Sequence, residues 1–299
     1  MNDSFQDVYA KHLQCADYGY PLRMPEPMTT LPQNYQDSGL QIGDVGIVDS
    51  RGQFDVLFNI CKRSDNPLHD PLGVPENFQP VQRGDVKFSD NAISAGPIHS
   101  HGIEQILQHN RPRPAYYEFD SSTPAGAILI LPHGAMSVEL SFPEQFREVA
   151  TKSALQWYEF AKKRYGVQHL DRSLYLITGF YKARSWSLGS FNKPTNAPGK
   201  ILARRDDINP NIYLLEFTFP ADRRHSRGGE DSGGINQTVF ITGFKITVRS
   251  WLPDPIILRV TESETTWSIL VRLFKACIYR LRSLPGGHKQ HPAISKLRM

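Results

Sequence analysis

The alternation of hydrophobic and polar residues predicts a chain built mainly of β-strands. In residues 54–60, hydrophobic side chains recur at every second position, which is the period of a strand with one buried face. Turn-forming residues at 49–52 join this strand to Val45–Val48 in a predicted hairpin. The same reasoning predicts further strands at 126–132, 173–191, 211–219 and 237–251.

A repeated tetrapeptide marks two of these strands. The sequence Ile-Thr-Gly-Phe occurs at 177–180 and again at 241–244. Glycine inside a strand often marks a bulge or a close approach of another backbone. We therefore expect a bulge or a close backbone contact in each strand.

A helical period replaces the alternation in residues 141–166. Apolar and small residues recur there at i, i+3, i+4 and i+7, including Phe146, Trp157 and Phe160. Ser141 and Glu144 form a predicted capping box, and Gly166 stands at the predicted C-cap. The pattern predicts an amphipathic helix that lies on a sheet, and a shorter helix is predicted at Phe5–Leu13.

The remaining segments are rich in proline, glycine and other turn-forming residues. They predict loops at 63–85, 192–200 and 221–236. The fold class expected from all these elements is α+β, with a mainly antiparallel sheet, one long amphipathic helix packed on it, and a basic C-terminal helix. We expect a single domain over 1–299, with residues 1–41 as a proline-rich irregular arm and residues 285–299 as a flexible basic tail.

The basic C-terminal helix is predicted at 264–283. Thr261 and Glu264 can form its capping box, and Pro285 ends it. Its hydrophobic residues fill one face, and basic residues lie opposite. Packing of that face on the protein's own domain is the favoured interpretation. The alternative is contact with a partner or an anionic membrane, for which the candidate residues are Trp267, Arg272, Phe274, Lys275 and Arg280. If this helix binds acidic lipid, Arg272→Glu with Lys275→Glu should abolish co-sedimentation with anionic liposomes.

Charge and cysteine content exclude several classes of protein. The net charge is +4, but seven basic residues and no acidic residue follow Glu264, so the basic character is local and nucleic-acid binding is disfavoured. The three cysteines lie far apart and suggest neither a disulfide framework nor a zinc site. No secretory signal is visible, and no apolar run approaches the ~20 residues of a membrane span. We therefore expect a cytoplasmic protein.

Residues 231–234, Asp-Ser-Gly-Gly, match the nucleophile signature of trypsin-like serine proteases. Glu230 stands where that family has glycine, and no histidine has the family's Ala-Ala-His-Cys setting. A serine hydroxyl is inert without a base to accept its proton. His225 is the nearest histidine, and three arginines flank it. The favoured interpretation is a solvated glycine-rich loop.

The segment 98–110 contains three histidines, His99, His101 and His109. On a strand, His99 and His101 would point to the same face and could be two ligands of one zinc ion. Gly102 and the helix-like residues 103–109 place the pair at a predicted strand-to-helix turn. A metal-dependent enzyme therefore remains an alternative. No phosphate loop, dinucleotide fingerprint or carboxylate pair is present, and no catalytic, cofactor or metal residue is assigned.

Six stretches together resemble a family of uncharacterised proteins from basidiomycete fungi. They are YGYPLRMPEP (18–27), IGDVGIVDSRGQFDVLFNI (42–60), GAILILPHGA (126–135), QWYEF (156–160), SLYLITGFYKARSW (173–186) and NQTVFITGFKITVR (236–249). The resemblance implies an intracellular fungal protein and carries over no catalytic residue. The order of helix, long strands and basic helix is also loosely similar to the pore-forming domain of gasdermins, which binds acidic lipid. The sequence favours a non-enzymatic interaction or regulatory module that binds a protein partner.

Overall fold

The computed structural model describes residues 4–14, 18–106, 115–166, 173–193, 197–226 and 234–248, together with the backbone of 256–259. These residues belong to one compact unit, Met1–Thr261. A second unit, Glu262–Met299, lies outside the described residues.

Strands dominate the described part of the chain. The helices are α1 (Phe5–Leu13), α2 (Gln33–Ser38) and α3 (Glu144–Tyr165), and Pro67–His69 forms a 3-10 helix. The strands are β1 (Tyr20–Pro21), β2 (Asp44–Val48), β3 (Phe54–Asn59), β4 (Val86–Ile93), β5 (Gly96–His99), β6 (Ile103–Gln105), β7 (Tyr116–Ser121), β8 (Ala125–Leu131), β9 (Ala135–Leu140), β10 (Leu174–Ala183), β11 (Ser187–Asn192), β12 (Gly199–Arg205), β13 (Tyr213–Phe217), β14 (Ala221–His225), β15 (Gln237–Thr247) and β16 (Ile256–Arg259).

Within the described residues, these strands form three sheets with antiparallel pairing. The inner sheet has the order β14-β11-β8-β5, and the outer sheet has the order β13-β12-β7-β6. The large sheet contains β1, β2, β3, β4, β9, β10, β15 and β16. The predicted α+β class with mainly antiparallel sheet is confirmed, whereas the predicted basic C-terminal helix lies outside the described residues.

Four long segments of chain, at 86–105, 116–140, 174–205 and 213–247, each contribute one strand to each of the three sheets. Neighbouring segments stay paired in nearly the same register from one sheet to the next. For example, Met136 pairs with Lys182 in the large sheet, Ile130 with Ser187 in the inner sheet, and Ser121 with Gly199 in the outer sheet. The three sheets are therefore successive parts of one four-stranded antiparallel meander. Its strands bend twice, once between the large and inner sheets and once between the inner and outer sheets.

The inner and outer sheets pack face to face. Their shared core contains Phe119 and Tyr117 from β7, Ile128 and Ile130 from β8, and Ile201 from β12. The other face of the inner sheet is covered by Tyr9 and Leu13 of α1, which pack with Leu129 and Leu131. Both faces of β8 are thus buried, which explains why this predicted strand is apolar throughout.

The long helix α3 packs on the large sheet, as its hydrophobic period predicts. Phe146, Ala150 and Trp157 belong to the same buried cluster as Phe58 and Leu176. Gly166 is the C-cap, as predicted, with φ at 76°. The predicted capping box is wrong, because Pro143 is the N-cap and makes no side-chain hydrogen bond. The helix begins there because proline suits the start of a helix, where no backbone N–H is needed.

The two Ile-Thr-Gly-Phe tetrapeptides lie opposite each other. Ile177 pairs with Gly243 and Phe180 with Ile241, with a register shift between Ile177 and Gly179. Gly243 has φ at 147°, and a Cβ there would lie 2.0 Å from the carbonyl oxygen of Leu176. The predicted bulge and close backbone contact are both confirmed, and they occur at a single place.

Other elements follow the prediction unevenly. The hairpin of β2 and β3 and the helix α1 are confirmed. The segment predicted to be a proline-rich irregular arm contains β1 and α2, and β1 pairs with β15. The loops predicted at 192–200 and 221–236 are wrong in part, because β12 begins at Gly199 and β14 occupies Ala221–His225. Strand β14 has a polar sequence and pairs with β11, and β12 follows a proline-rich segment and pairs with β7 and β13. In both cases pairing overrides the preference of the local sequence.

Candidate functional site

The predicted contact residues of the basic helix, Trp267, Arg272, Phe274, Lys275 and Arg280, lie outside the described residues. Ser232 and Glu230 of the protease-like signature also lie outside them. His225 is described and ends β14 rather than lying in a loop. Contact of the basic helix with lipid or a partner therefore stays a prediction.

The structure places His99 and His101 on the surface, and the residues that it describes form no metal site around them. Strand β5 ends at His99, and His101 lies in a turn before Gly102, whose φ is 79°. Because the strand ends first, its alternation does not bring both imidazoles to one face. The predicted helix at 103–109 is wrong at its start, since Ile103–Gln105 is β6. Among the described residues, no group of three or more His, Cys, Asp or Glu side chains could hold a metal ion.

A serine–histidine pair occurs at a different place, which the sequence analysis did not identify. His133 Nδ1 lies 3.1 Å from Ser185 Oγ. Both residues lie where neighbouring long segments bend from the inner sheet into the large sheet. Ser185 is only 3% exposed, so a substrate has little access to its hydroxyl. This pair ties two bends together and does not form an open nucleophilic site.

A buried polar cluster surrounds Asp44 at the start of β2. Its carboxylate accepts hydrogen bonds from the Tyr35 hydroxyl, from the backbone N–H of Gln41 at 2.7 Å, and from Asn59 Nδ2 at 2.7 Å. Burial raises the pKa of Asp44 to about 6, although these hydrogen bonds act in the opposite direction. The cluster fixes α2 and the following loop against the hairpin of β2 and β3.

Lys182 completes this buried region from the side of β10. Its Nζ donates a hydrogen bond to the carbonyl of Ser38 at 2.6 Å and lies 4.0 Å from the ring centre of Phe180. Burial lowers the pKa of Lys182 to about 8, and the charge of Asp44 opposes this shift. Lys182 and Asp44 are 5% and 0% exposed. Both groups therefore position α2 from inside the protein rather than meet a ligand at its surface.

The outer sheet turns one face towards solvent, and we call this side the exposed face. Ile106, Tyr116 and Leu214 lie on it or at its end and are 45%, 37% and 39% exposed. Arg204 of β12 pairs with both Tyr116 and Leu214, so these three side chains form a row. In the next row, Ile106 donates its backbone N–H to the carbonyl of Glu118 at 2.8 Å. The exposed face thus combines large apolar side chains with charges.

Among the described residues of the exposed face, acidic side chains outnumber basic ones. Lys200 Nζ pairs with Glu118 at 2.9 Å, and a shallow cavity of about 320 Å³ lies between β7, β12 and β13. The charged side chains of this face are Glu104, Glu118, Asp120, Lys200, Arg204 and Glu216.

A larger cavity adjoins the exposed face, and we call it the edge cleft. It has a volume of about 610 Å³ and is lined by Tyr213–Glu216 of β13 and Arg223–His225 of β14. These two strands are consecutive in the chain and lie at corresponding edges of the outer and inner sheets. Leu214 and Glu216 belong to both surfaces, so the edge cleft continues the exposed face around the edge of the sheet packing.

Hydrogen bonds from β13 to β14 and to the neighbouring strand β11 hold the edge cleft in place. Arg223 Nη1 donates to the carbonyl of Leu215 at 3.1 Å, and the backbone N–H of Tyr213 donates to Ser187 Oγ at 2.8 Å. Arg23 forms an ion pair with Asp222 on the same strand as Arg223. The cleft is thus braced by the same arginine that lines it.

Neither surface was identified from the sequence. Alternation is visible in 116–121, 199–205 and 213–217, and of these only 213–217 was predicted as a strand, within 211–219. Their apolar residues on the polar side, such as Tyr116 and Leu214, gain meaning only when the strands are adjacent. Strand β14 has the sequence Ala-Asp-Arg-Arg-His and shows no hydrophobic alternation at all.

The fold and both surfaces define a mainly antiparallel α+β protein with an open sheet face. No protein-family model matches the sequence, and no curated protein matches it significantly. The resemblance to uncharacterised fungal proteins therefore stays a prediction. Among the described residues, no helix is long and apolar enough to cross a membrane.

Proposed function

We propose that the protein is a non-enzymatic interaction module, acting in the cytoplasm, whose exposed face binds a partner protein. The observation that supports this most directly is the grouping of Ile106, Tyr116 and Leu214 on one sheet face, each more than a third exposed. Large apolar side chains grouped on a surface and bordered by charges are typical of protein-binding sites. Tyrosine is also enriched at such interfaces because it offers a large apolar ring with a polar end.

The size of the exposed face indicates how a partner would use it. Its four strands have three, six, seven and five residues, and at a strand spacing of ~4.8 Å they cover roughly 300 Å². A stable complex buries about 800 Å² on each partner. The partner would therefore either bind transiently or extend beyond the exposed face, and the adjoining edge cleft is the natural extension because Leu214 and Glu216 of the exposed face also line it.

The test is site-specific photo-crosslinking in an extract of the source organism. A photoreactive phenylalanine analogue replaces Leu214 on the exposed face or, as a matched control, Leu155 on α3, which is 55% exposed. We expect a discrete crosslinked product from position 214 and none from position 155. Tyr116→Ser in the same chain should weaken the product, because it removes a second large side chain of the exposed face. Equal products from both positions, or none from position 214, would contradict the proposal.

A further inference from the structure

The edge cleft is basic, and we infer that it binds an extended acidic segment of the partner through the carboxylates of that segment. This inference rests on the proposed function, because the cleft continues the surface that the partner would cover. Among the described residues, its walls contain two arginines, Arg223 and Arg224, and one histidine, His225, against one acidic residue, Glu216. The volume of about 610 Å³ lies within the range of sites that enclose several groups of a ligand.

The positive charge of the cleft is not cancelled by the nearest acid on the same strand. Asp222 is paired with Arg23, whose side chain is only 13% exposed. Arg223 uses one N–H for the carbonyl of Leu215, and a guanidinium has five N–H donors in a planar fork. That bond fixes the direction of the guanidinium, and the remaining donors suit the two oxygens of a carboxylate.

The backbone of β13 shows that recognition would occur through side chains and not by addition of a strand. The N–H of Tyr213 and the carbonyl of Leu215 already bond to Ser187 and Arg223. Strand addition needs such edge groups to be unpaired. A segment in the cleft would therefore place its carboxylates against Arg223 and His225 while its remaining residues pass Leu214.

An acidic peptide fits these surroundings better than a nucleic acid does. Glu216 stands on the cleft wall, and Glu118 of the exposed face lies in the same side-chain row across β12. A nucleic acid carries a charge on every phosphate, so its continuation across this row would be repelled. An extended peptide can present acids on one side and uncharged residues on the other, because its side chains alternate.

The experiment measures binding of three fluorescent probes to the full-length protein by anisotropy. They are a ten-residue peptide of alternating Asp and Ala, the same peptide with Lys in place of Asp, and a ten-nucleotide single-stranded DNA. We expect only the acidic peptide to bind at about 0.15 M salt and its binding to weaken at about 0.5 M, where surface charges are screened.

The variants Arg223→Glu and His225→Glu test whether the acidic peptide binds in the cleft. Each should weaken acidic-peptide binding about tenfold, which is typical for loss of a hydrogen bond to a charged group. The matched control is Arg204→Glu on the exposed face, which should change binding by less than about twofold. If circular dichroism shows that Arg223→Glu is unfolded because the Leu215 contact is lost, His225→Glu decides.

Three outcomes would overturn the inference. They are no binding of the acidic peptide, an equal loss in Arg204→Glu, or tighter binding of the DNA than of the peptide. Acidic-peptide binding without a crosslink from position 214 would instead refute the proposed function and leave the cleft assignment standing. A crosslink from position 214 without acidic-peptide binding would refute the cleft assignment and leave the proposed function standing.

Discussion

The inner and outer sheets are made from the same four segments of chain, yet they bury their strands differently. Strand β8 of the inner sheet is buried at every position from Gly126 to Leu131, because α1 covers one face and the outer sheet covers the other. Strands β7 and β12 of the outer sheet alternate between buried and more exposed side chains. One continuous meander thus changes from a fully enclosed core to an open face within a few residues.

This difference separates side chains that stabilise the fold from side chains that, in our proposal, contact a partner. Side chains on the inner sheet lose contact with water on both faces, so they contribute mainly to folding. Side chains on the exposed face keep part of their surface in water, so they contribute less to folding, and in our proposal they contact the partner. Ile106, Tyr116 and Leu214 are three large side chains that the exposed face leaves more than a third exposed.

The largest expected effect comes from making the same change, leucine to alanine, once in the inner sheet and once in the outer sheet. Leu129→Ala in β8 removes a side chain that is 0% exposed, and the resulting cavity should lower the free energy of unfolding by about 2–5 kcal/mol. Leu214→Ala on the exposed face should change it by less than about 0.5 kcal/mol. Urea denaturation of both variants measures the difference. Similar losses would mean that the exposed face is covered in the folded protein.

The same comparison explains which parts of the fold could be predicted from the sequence. Strand β8 and helix α3 were predicted because their hydrophobic patterns are strong and local. Strand β14 was not predicted, because Arg223 and Arg224 enter a strand only through pairing with β11. The exposed face and the edge cleft need the order of strands in space, which depends on contacts between residues nearly a hundred positions apart, such as Arg204 with Tyr116.

A second comparison concerns buried and exposed charges. Burial raises the pKa of Asp44 from 3.8 to about 6, so between these values the native protein holds a proton that the unfolded chain has released. The free energy of unfolding should therefore fall as the pH rises from about 4 to about 6, by about 3 kcal/mol from this group. Asp44→Asn should remove this part of the pH dependence.

Urea denaturation at several pH values between 4 and 7 checks this expectation. The matched control is Glu216→Gln on the exposed face, which removes one carboxylate from an exposed position, and the pH profiles of both variants are compared with that of the unchanged protein. The range from pH 4 to pH 7 lies below the pKa of Lys182, which is lowered only to about 8. An Asp44→Asn variant with an unaltered slope between pH 4 and pH 6 would show that the buried carboxylate titrates normally.

A third prediction concerns the paired Ile-Thr-Gly-Phe tetrapeptides, at the place where β10 and β15 bulge. It compares a glycine in close contact with another backbone and a glycine with no close contact. Gly243→Ala should destabilise the protein by about 2 kcal/mol, because its φ is 147° and its Cβ would overlap the Leu176 carbonyl. Gly73→Ala is the control, since Gly73 also has positive φ but has no atom within 4 Å of a Cβ. Its cost should be about 1 kcal/mol, the strain of the backbone alone. Thermal unfolding separates the two, and equal costs would argue against the close backbone contact.

The smallest expected effect tests the bends between sheets. Ser185→Ala at the bend from the large sheet to the inner sheet removes the hydrogen-bond partner of His133 Nδ1, which should cost about 1 kcal/mol. Ser122→Ala at the bend from the outer sheet removes an exposed contact with the Gly102 carbonyl at 3.3 Å and should cost less than about 0.5 kcal/mol. A fluorophosphonate probe adds a second measurement, because a hydroxyl that is 3% exposed should not react with it. Covalent labelling that disappears in Ser185→Ala would overturn the structural role of this pair and, with it, the proposal that the protein is not an enzyme.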